Sequence, residues 1–363
     1  MKRLGISIYP NQASLDRNLA YIELAGKYGF KRVFTCLISA DNKEIGEIVA
    51  EFKKLTAVAG QWNMEVIADI DQTVFRKVGA SFEDMAVFKE LGLSGIRLDI
   101  GFSGLEESIM TFNACGLKIE LNISNGTKYI DQILSYKPNT ENILGCHNFY
   151  PHIYTGLSYK HFLQCSKQFH DLGIKTAAFI NSSAAEFGPW PVSEGLCTLE
   201  MHRNLPIEVQ AKHLFATGLI DDVIIANAFA SEEELRTLSN INKNMLEFLV
   251  VLADGLPELE RKIVLEENHF NRGDVSEYLV RSTQSRVKYK NCDFPPFNFP
   301  DIERGDILIE SSLYSRYAGE LQIALKNMKN SGKTNVVGKI VSDEVFLLDY
   351  LEPWAKFRFV EAK

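Results

Sequence analysis

Short apolar runs rich in β-branched residues recur along the first two thirds of the chain. They are nearly continuous in hydrophobic residues, which is typical of strands buried on both faces. The eight runs are LGISIYP (4–10), RVFTCLI (32–38), EVIADID (65–71), GIRLDIGF (95–102), LKIELNIS (117–124), ILGCHNF (143–149), IKTAAFIN (174–181) and DVIIANAF (222–229). This pattern predicts eight strands of one parallel sheet.

Amphipathic helical patterns separate these strands. The segment 14–29 begins at a serine suited to cap a helix and ends at a glycine, and 81–92 and 158–173 have the same spacing of apolar residues. Eight βα units over residues 1–240 match the size of a (β/α)8 barrel, typically ~250 residues. An open doubly wound sheet usually has a glycine-rich turn after its first strand, and YPNQAS has none. The barrel is therefore the expected fold.

The pattern changes over residues 241–363, where short strands are separated by Gly, Asp, Asn and Pro. The predicted strands lie in LVVLADG, RGDVSEYLVRSTQS, RGDILIES, NVVGKIVS, VFLLDYL and KFRFVEAK. They predict a separate small all-β barrel or sandwich. The segment YAGELQIALKNM (317–328) has helical spacing and is predicted as a helical insertion.

Composition narrows the class of protein. Hydrophobic residues make up 46% and charged residues 24%, and the net charge is −8, so the basic footprint of a nucleic-acid-binding protein is absent from the composition. The apolar part of the first residues is short for a signal peptide, and no apolar run approaches the ~20 residues of a membrane span. The six scattered cysteines contain no C-x-x-C pair. We expect a cytoplasmic protein with reduced thiols.

Four carboxylates follow three neighbouring predicted strands: Asp69, Asp71, Asp99 and Glu120. Reactive groups of a (β/α)8 barrel lie at the carboxyl ends of its strands, so these four are the candidate catalytic residues. Because side chains alternate along a strand, Asp69 and Asp71 share a face. An alternative is that Asp69 or Glu120 forms a buried ion pair with Arg97.

Polar and aromatic residues surround these carboxylates at the other strand ends. Two carboxylates with amides and rings are the groups used in glycoside hydrolysis, where one acid protonates the leaving oxygen and the other attacks or activates water. The candidate substrate-binding residues are Tyr9, Arg97, Asn122, His147, Asn148, Tyr150 and Asn181. Each aromatic residue, taken alone, is also compatible with core packing.

A metal site is the competing interpretation. His147 with neighbouring carboxylates would suit a divalent ion, as in many barrel isomerases and hydrolases. The sequence has neither an H-x-H motif at the first strand nor an H-E-x-x-H motif. We therefore expect no metal and no cofactor.

Two further segments supply candidate binding residues. The long connection 187–204 carries Glu200 and Arg203, which would cover the pocket or simply begin a helix. In the second module, Arg281 and Arg286 flank hydroxyl residues, a composition suited to a phosphate or to a solvated strand face.

Several motifs resemble a known family. GISIYP, ADIDQTVF, GIRLDIGF, IELNISN, HNFYPHIYTGLS, GPWPVSEGLCTLEMHR and RGDILIESSLYSRYAGELQI are similar to the DUF871 family, which includes the MupG-like 6-phospho-N-acetylmuramidases of glycoside hydrolase family 170. The resemblance covers essentially the whole chain. It implies a barrel followed by a cyclophilin-like β-barrel, and a cytoplasmic bacterial enzyme that hydrolyses 6-phospho-N-acetylmuramic acid–N-acetylglucosamine during peptidoglycan recycling. It also strengthens the interpretation of Arg281 and Arg286 as a 6-phosphate clamp.

The sequence thus leads to one main hypothesis and two alternatives. The first is a glycosidase acting on a small phosphorylated sugar, with Asp99 and Glu120 as the first candidate pair and Asp69 and Asp71 as alternates. The others are a non-catalytic sugar-phosphate-binding or regulatory protein and a metal-dependent isomerase or lyase. We expect neither nucleic acid nor membrane as a partner, and the sequence leaves a homo-oligomer open.

Overall fold

The computed structural model describes residues 1–37, 45–192 and 194–362. They divide into two compact units, Met1–Ile241 and Asn242–Lys363. Residue 38, the last of the second predicted strand, lies outside the described residues, as does Ser193 of the long connection. No helix in the described ranges is long and apolar enough to cross a membrane.

The first unit is a closed parallel barrel whose eight strands are paired in chain order. The predicted (β/α)8 barrel is confirmed. The strands are β1 (Arg3–Ile8), β2 (Arg32–Cys36), β3 (Glu65–Ile70), β4 (Gly95–Leu98), β5 (Lys118–Asn122), β6 (Ile143–Cys146), β7 (Lys175–Ile180) and β8 (Asp222–Ile225).

Helices connect the strands and pack on the outside of the barrel, where outward-facing Ile6, Val33 and Ile96 are fully buried. Burying this apolar layer is the main force that closes the barrel. The helices are α1 (Leu15–Lys27), α2 (Ile45–Gln61), α3 (Gln72–Lys77), α4 (Ala86–Glu90), α5 (Leu105–Met110), α6 (Tyr129–Ser135), α7 (Tyr159–His170), α8 (Ile207–Ala216) and α9 (Glu232–Asn240). Short 3-10 turns lie at Thr140–Asn142 and Glu200–His202.

A layer of ionised side chains fills the lower interior of the barrel. Arg32 donates to Asp222 Oδ2 at 2.9 Å and also to Glu120. Arg3 donates to Asp222 at 2.7 Å and to Glu65 Oε2 at 2.8 Å. Arg32 and Glu120 are fully buried, so Glu120 depends on Arg32 for compensation of its charge.

Aromatic rings fill the interior on the carboxyl-terminal side of Arg32. Phe179 makes edge contacts with Phe34 and Phe149, at centroid distances of 5.1 and 5.0 Å. Tyr9 is buried beside them and donates to the carbonyl oxygen of Ala226 at 2.5 Å. Burial raises the pKa of the Tyr9 phenol well above its usual range. The predicted sugar contact at Tyr9 is therefore wrong, because the ring packs inside the barrel.

The second unit is built on one seven-stranded sheet, ordered β10-β15-β9-β14-β12-β13-β11. Its two edges approach each other, since Arg272 N donates to Arg281 O at 3.0 Å, so the sheet curls into a barrel-like shape as predicted. Its elements are β9 (Leu246–Leu252), α10 (Glu258–Glu266), β10 (His269–Phe270), β11 (Leu279–Ser282), α11 (Gln284–Lys288), β12 (Asp306–Glu310), β13 (Leu321–Ala324), β14 (Thr334–Ile340) and β15 (Lys356–Glu361), with 3-10 turns at Ser312–Tyr314 and Ser342–Tyr350.

Two local predictions in this unit are wrong. The predicted helical insertion at 317–328 contains strand β13, which pairs antiparallel with both β11 and β12. The predicted strand VFLLDYL lies almost entirely in the 3-10 turns of Ser342–Tyr350. In both segments, long-range pairing or packing outweighs the local apolar spacing.

Candidate active site

Arg97 organises the mouth of the barrel. It lies near the carboxyl end of β4, and its side chain is 3% exposed. Nη1 donates to Asp69 Oδ1 at 2.9 Å and to Asp99 Oδ1 at 3.4 Å, while Nη2 donates to Asn148 Oδ1. One guanidinium thus joins the ends of β3 and β4 to the loop after β6.

The two carboxylates on Arg97 have different environments. The Asp69 side chain is 11% exposed, and burial raises its pKa to about 6 although Arg97 opposes the shift. The Asp99 side chain is 42% exposed, and its Oδ1 also accepts from Asn122 Nδ2 at 3.2 Å. A pair of acids in unequal surroundings is the usual basis for dividing acid and base roles.

The spacing of the pair is short. Both Oδ1 atoms contact the same nitrogen, so they cannot be farther apart than the sum of the two distances, about 6.3 Å. Retaining glycosidases hold their carboxyl groups ~5–5.5 Å apart, and inverting ones ~6.5–9.5 Å apart. The limit applies to the two Oδ1 atoms, and it is compatible with the spacing of a retaining pair.

Asp99 and Asn122 line a cleft of about 450 Å³ at the ends of β4 and β5. Residues 98–102 form one wall and residues 125–132 the other. The remaining polar and aromatic lining residues are Phe102, Asn125, Thr127, Lys128, Tyr129 and Gln132. A cleft of this size accommodates a sugar next to Asp99.

His147 lies beneath the mouth rather than in it. It is fully buried between two hydroxyls, with Nε2 2.8 Å from Ser166 Oγ and Nδ1 3.2 Å from Ser124 Oγ. Ser124 Oγ also accepts from Asn148 N at 2.8 Å. The predicted substrate contact at His147 is therefore wrong, and the imidazole instead supports the loop that presents Asn148 to Arg97.

The buried His147 makes stability depend on pH. Burial lowers its pKa to about 3, whereas an unfolded histidine titrates near ~6.5. The unfolded chain therefore takes up this proton first, and stability falls as pH drops below ~6.5 toward 3. Between about pH 7 and about pH 5.5, His147 should account for a loss of about 1 kcal/mol in unfolding free energy.

Urea unfolding of His147→Gln at the two pH values checks this expectation. The variant should lose that part of the pH dependence, whatever its stability at neutral pH. His170→Gln is the matched control, because His170 is half exposed on the surface of α7. An unchanged pH dependence in His147→Gln would contradict the assignment.

Two other predicted catalytic carboxylates have structural partners. Glu120 is fully buried in the ionised layer and bound to Arg32, so it does not reach the cleft. Asp71 caps the first turn of α3, accepting from Val74 N at 2.7 Å. Both predictions are therefore corrected. Glu120 lies deeper in the barrel than the cleft, and Asp71 lies at the amino terminus of α3.

Glu200 and Arg203 lock the loop that follows β6. Arg203 donates to both Glu200 oxygens, at 2.8 and 2.7 Å, and the same carboxylate accepts from Tyr154 N and Gly156 N. These bonds lower the pKa of Glu200 to about 2. Arg203 also donates to the carbonyl oxygen of Tyr150 at 3.1 Å. The pair therefore holds the loop rather than binding a sugar, which corrects the prediction for both residues.

Asn181 and Tyr150 lie on the other side of the mouth. Asn181 Oδ1 accepts from Leu196 N at 2.7 Å, so this amide fixes the 187–204 connection. It lines a second cleft of about 430 Å³. Tyr150 is half-buried, burial raises the pKa of its phenol, and Ser124 is its hydrogen-bonding partner. Of these two, Tyr150 stays a candidate for sugar contact.

Arg281 and Arg286 share one acidic partner within the second unit. Both contact the fully buried Glu320, at 2.8 and 3.0 Å, and both lie over the ring of Tyr317. Glu320 thus partly neutralises the charges of these two arginines within this unit. Among the described residues, no group of three or more His, Cys, Asp or Glu is arranged to hold a metal ion.

Two structurally important residues, Arg32 and Lys128, were not among the residues predicted from the sequence. Arg32 begins an apolar strand, and an arginine there is a signal for a buried ion pair. Lys128 follows β5 in SNGTK, a run of donor side chains around a glycine. Ser124 lies at the predicted end of the fifth strand, but its contacts with His147 and Asn148 depend on tertiary structure.

A (β/α)8 barrel with two carboxylates at its mouth is an arrangement found in hydrolases of the glycosidase class. The family described as 6-phospho-N-acetylmuramidase matches with its N-terminal part over residues 4–240 and its C-terminal part over residues 246–360. The chain belongs to the 6-phospho-N-acetylmuramidase family and is an enzyme of this kind.

Solved structures of two similar proteins agree with the fold. An uncharacterized protein of B. cereus is 51% identical, with a TM-score of 0.93, and the match covers 99% of this chain and 100% of that one. A conserved protein of unknown function from Enterococcus faecalis is 23% identical, with a TM-score of 0.73 and coverage of 99% and 96%, which supports the fold alone. Among curated proteins, none matches the chain.

Proposed function

We propose that this enzyme hydrolyses the disaccharide of 6-phospho-N-acetylmuramic acid and N-acetylglucosamine, and serves peptidoglycan recycling in the bacterial cytoplasm. The family membership supports this substrate. The observation that carries the proposal is the pair Asp69 and Asp99, held by one arginine beside a sugar-sized cleft. Glu120 and Asp71 are left out of the proposed machinery because of their structural contacts.

Asp69 acts as the general acid. Its raised pKa keeps a useful fraction protonated near neutral pH, so it donates a proton to the leaving glycosidic oxygen. Arg97 lies 2.9 Å from the resulting carboxylate and stabilises it. Arg97 therefore assists the step in which Asp69 becomes charged.

Asp99 acts as the nucleophile at the anomeric carbon. It is the more exposed acid and faces the cleft, and Asn122 and Arg97 orient its Oδ1. After the first step, Asp69 has become a base that activates the water releasing the sugar. Asn122, Asn148 and Tyr150 supply groups that bond hydroxyl or acetamido substituents.

Turnover separates this proposal from its alternatives. Purified protein incubated with the phosphorylated disaccharide should release free N-acetylglucosamine, and a chelator should leave the rate unchanged. Saturable binding without product would favour the non-catalytic sugar-phosphate-binding protein. Loss of activity with chelator, restored by a divalent metal, would favour the metal-dependent alternative.

The pH profile of kcat/KM tests the acid role of Asp69. Because the acid must be protonated, kcat/KM should decline above a pKa of about 6, approaching a tenfold loss per pH unit. The decline should disappear from the residual activity of Asp69→Asn. A profile of Asp69→Asn with the wild-type alkaline limb would assign the proton to another group.

A further inference from the structure

We propose that the loop after β5, residues 125–128, binds the phosphate monoester of the substrate, with Lys128 as its counter-charge. This inference rests on the proposed function and deepens it, because it assigns the anionic end of the sugar to one wall of the cleft. It also replaces the arginine pair of the second unit as the phosphate-binding site.

The charged side chains that line the cleft are one carboxylate and one lysine. Asp99 and Asn122 lie where β4 and β5 terminate, and Lys128 lies farther along the loop on the opposite wall. Lys128 is exposed, and it forms neither an ion pair nor a side-chain hydrogen bond with any described residue. The cleft thus contains a cationic side chain without a protein partner as well as the proposed reactive carboxylate. This combination suits a substrate that carries an anionic group at some distance from its reacting carbon.

Neutral donors accompany this lysine. Asn125 and Thr127 line the same cleft, are exposed, and use neither side chain in a hydrogen bond with a described residue. An ammonium together with an amide and a hydroxyl matches the acceptor oxygens of a phosphate monoester. A neutral hydroxymethyl group at the same place would leave the ammonium without its counter-charge.

The loop is held in place from the other side. His161 Nε2 lies 2.7 Å from the Ser124 carbonyl oxygen, and Gln168 Nε2 donates to the Thr127 carbonyl oxygen at 3.4 Å. Gly126 has φ of +63°, and a Cβ there would lie 2.8 Å from His161 Cε1, so only glycine fits this close approach. The backbone is therefore fixed by α7 while the donor side chains stay free for a ligand.

The facing wall is tied to the loop as well. Gln132 Nε2 donates to the Ser103 carbonyl oxygen at 2.7 Å, and the Tyr129 hydroxyl is bonded to the buried Glu107. These bonds cross between the segments that follow β4 and β5. The cleft is thus preorganised, which reduces the ordering cost of binding a charged sugar.

The arginine pair of the second unit is the rival site. Arg281 and Arg286 already neutralise Glu320, which is fully buried and cannot turn away to solvent. A phosphate there would have to compete with that carboxylate. Lys128 has no such competitor among the described residues and shares its cleft with Asp99.

The test compares kcat/KM for the disaccharide with and without its 6-phosphate. Lys128→Met should lower kcat/KM for the phosphorylated substrate by about tenfold or more and change that for the unphosphorylated one little, because it removes one charge-assisted contact. Lys175→Met is the matched control, since Lys175 is exposed at the start of β7, the opposite end of the barrel. Arg286→Met tests the rival site.

The outcomes separate the two proposals. If Lys128→Met keeps the wild-type preference for the phosphorylated disaccharide, or Arg286→Met loses it instead, the inference is overturned while the hydrolase stands. If the wild type cleaves neither disaccharide, the proposed function fails. Calorimetric titration with 6-phospho-N-acetylmuramic acid then decides the inference: weaker binding by Lys128→Met supports it, and equal or absent binding by both proteins rejects it.

Discussion

Replacing Asp99 by asparagine is expected to lower kcat on the phosphorylated disaccharide by about a factor of 100 to 10,000. The amide cannot attack the anomeric carbon, yet it has nearly the same shape and keeps an oxygen for Asn122 and Arg97. Steady-state kinetics and circular dichroism together check this expectation. We expect the folded structure to be retained while turnover is lost.

Asp71→Asn is the matched control for this substitution. Asp71 is also an acid after a neighbouring strand, but it caps α3, and asparagine is an equally good cap. Its kcat should stay near that of the wild type. Full activity in Asp99→Asn, or an inactive but folded Asp71→Asn, would contradict the proposed pair.

Kinetics with a second substrate distinguish the roles of the two acids. An aryl glycoside with a good leaving group needs little protonation, so Asp69→Asn should retain much more activity on it than on the disaccharide. Asp99→Asn should be impaired on both substrates. Equal losses for Asp69→Asn on both substrates would remove Asp69 as the acid.

Replacing Arg32 by methionine is expected to reduce the unfolding free energy by about 3–5 kcal/mol. The substitution leaves the fully buried Glu120 without its partner, while Arg3 still compensates Asp222. Urea unfolding measures the loss. The double variant Arg32→Met/Glu120→Gln should be more stable than Arg32→Met, because it no longer buries an unpaired charge.

Arg236→Met provides the surface comparison. Arg236 lies on α9 and its pair with Glu233 is exposed, so the change should cost ~0–1 kcal/mol. Glu120→Gln should also lower stability but leave kcat of the folded protein unchanged. Loss of kcat without loss of stability in Glu120→Gln would return Glu120 to the catalytic candidates.

The barrel was predictable because its strands are local, repetitive and apolar on both faces. The signal weakens in the second unit, where LQIA forms β13 through pairing with β11 and β12. The helical spacing of that segment is a local property, whereas its strand pairing joins residues far apart in the chain. Local patterns therefore predicted the all-β class but not every element.

The site was predictable in part. Alternation along a strand indicates which side chains face the barrel interior, and it correctly brought Asp69, Arg97 and Asp99 together. Alternation does not indicate depth, so Glu120 was placed at the mouth although Arg32 holds it below. The long-range partners of His147 and Glu200 likewise depend on tertiary contacts that no spacing rule contains.

The ionised layer in the barrel has a consequence for how the chain can be divided. Strands β1 to β4 bring Arg3, Arg32 and Glu65 to this layer, an excess of positive charge, and β5 to β8 bring Glu120 and Asp222, both negative. A half-barrel expressed alone would expose interior side chains whose charges are not compensated. The opposite charges of the two halves favour their association. A chimera that joins one half to half of another barrel therefore also needs the charged side chains that complement it.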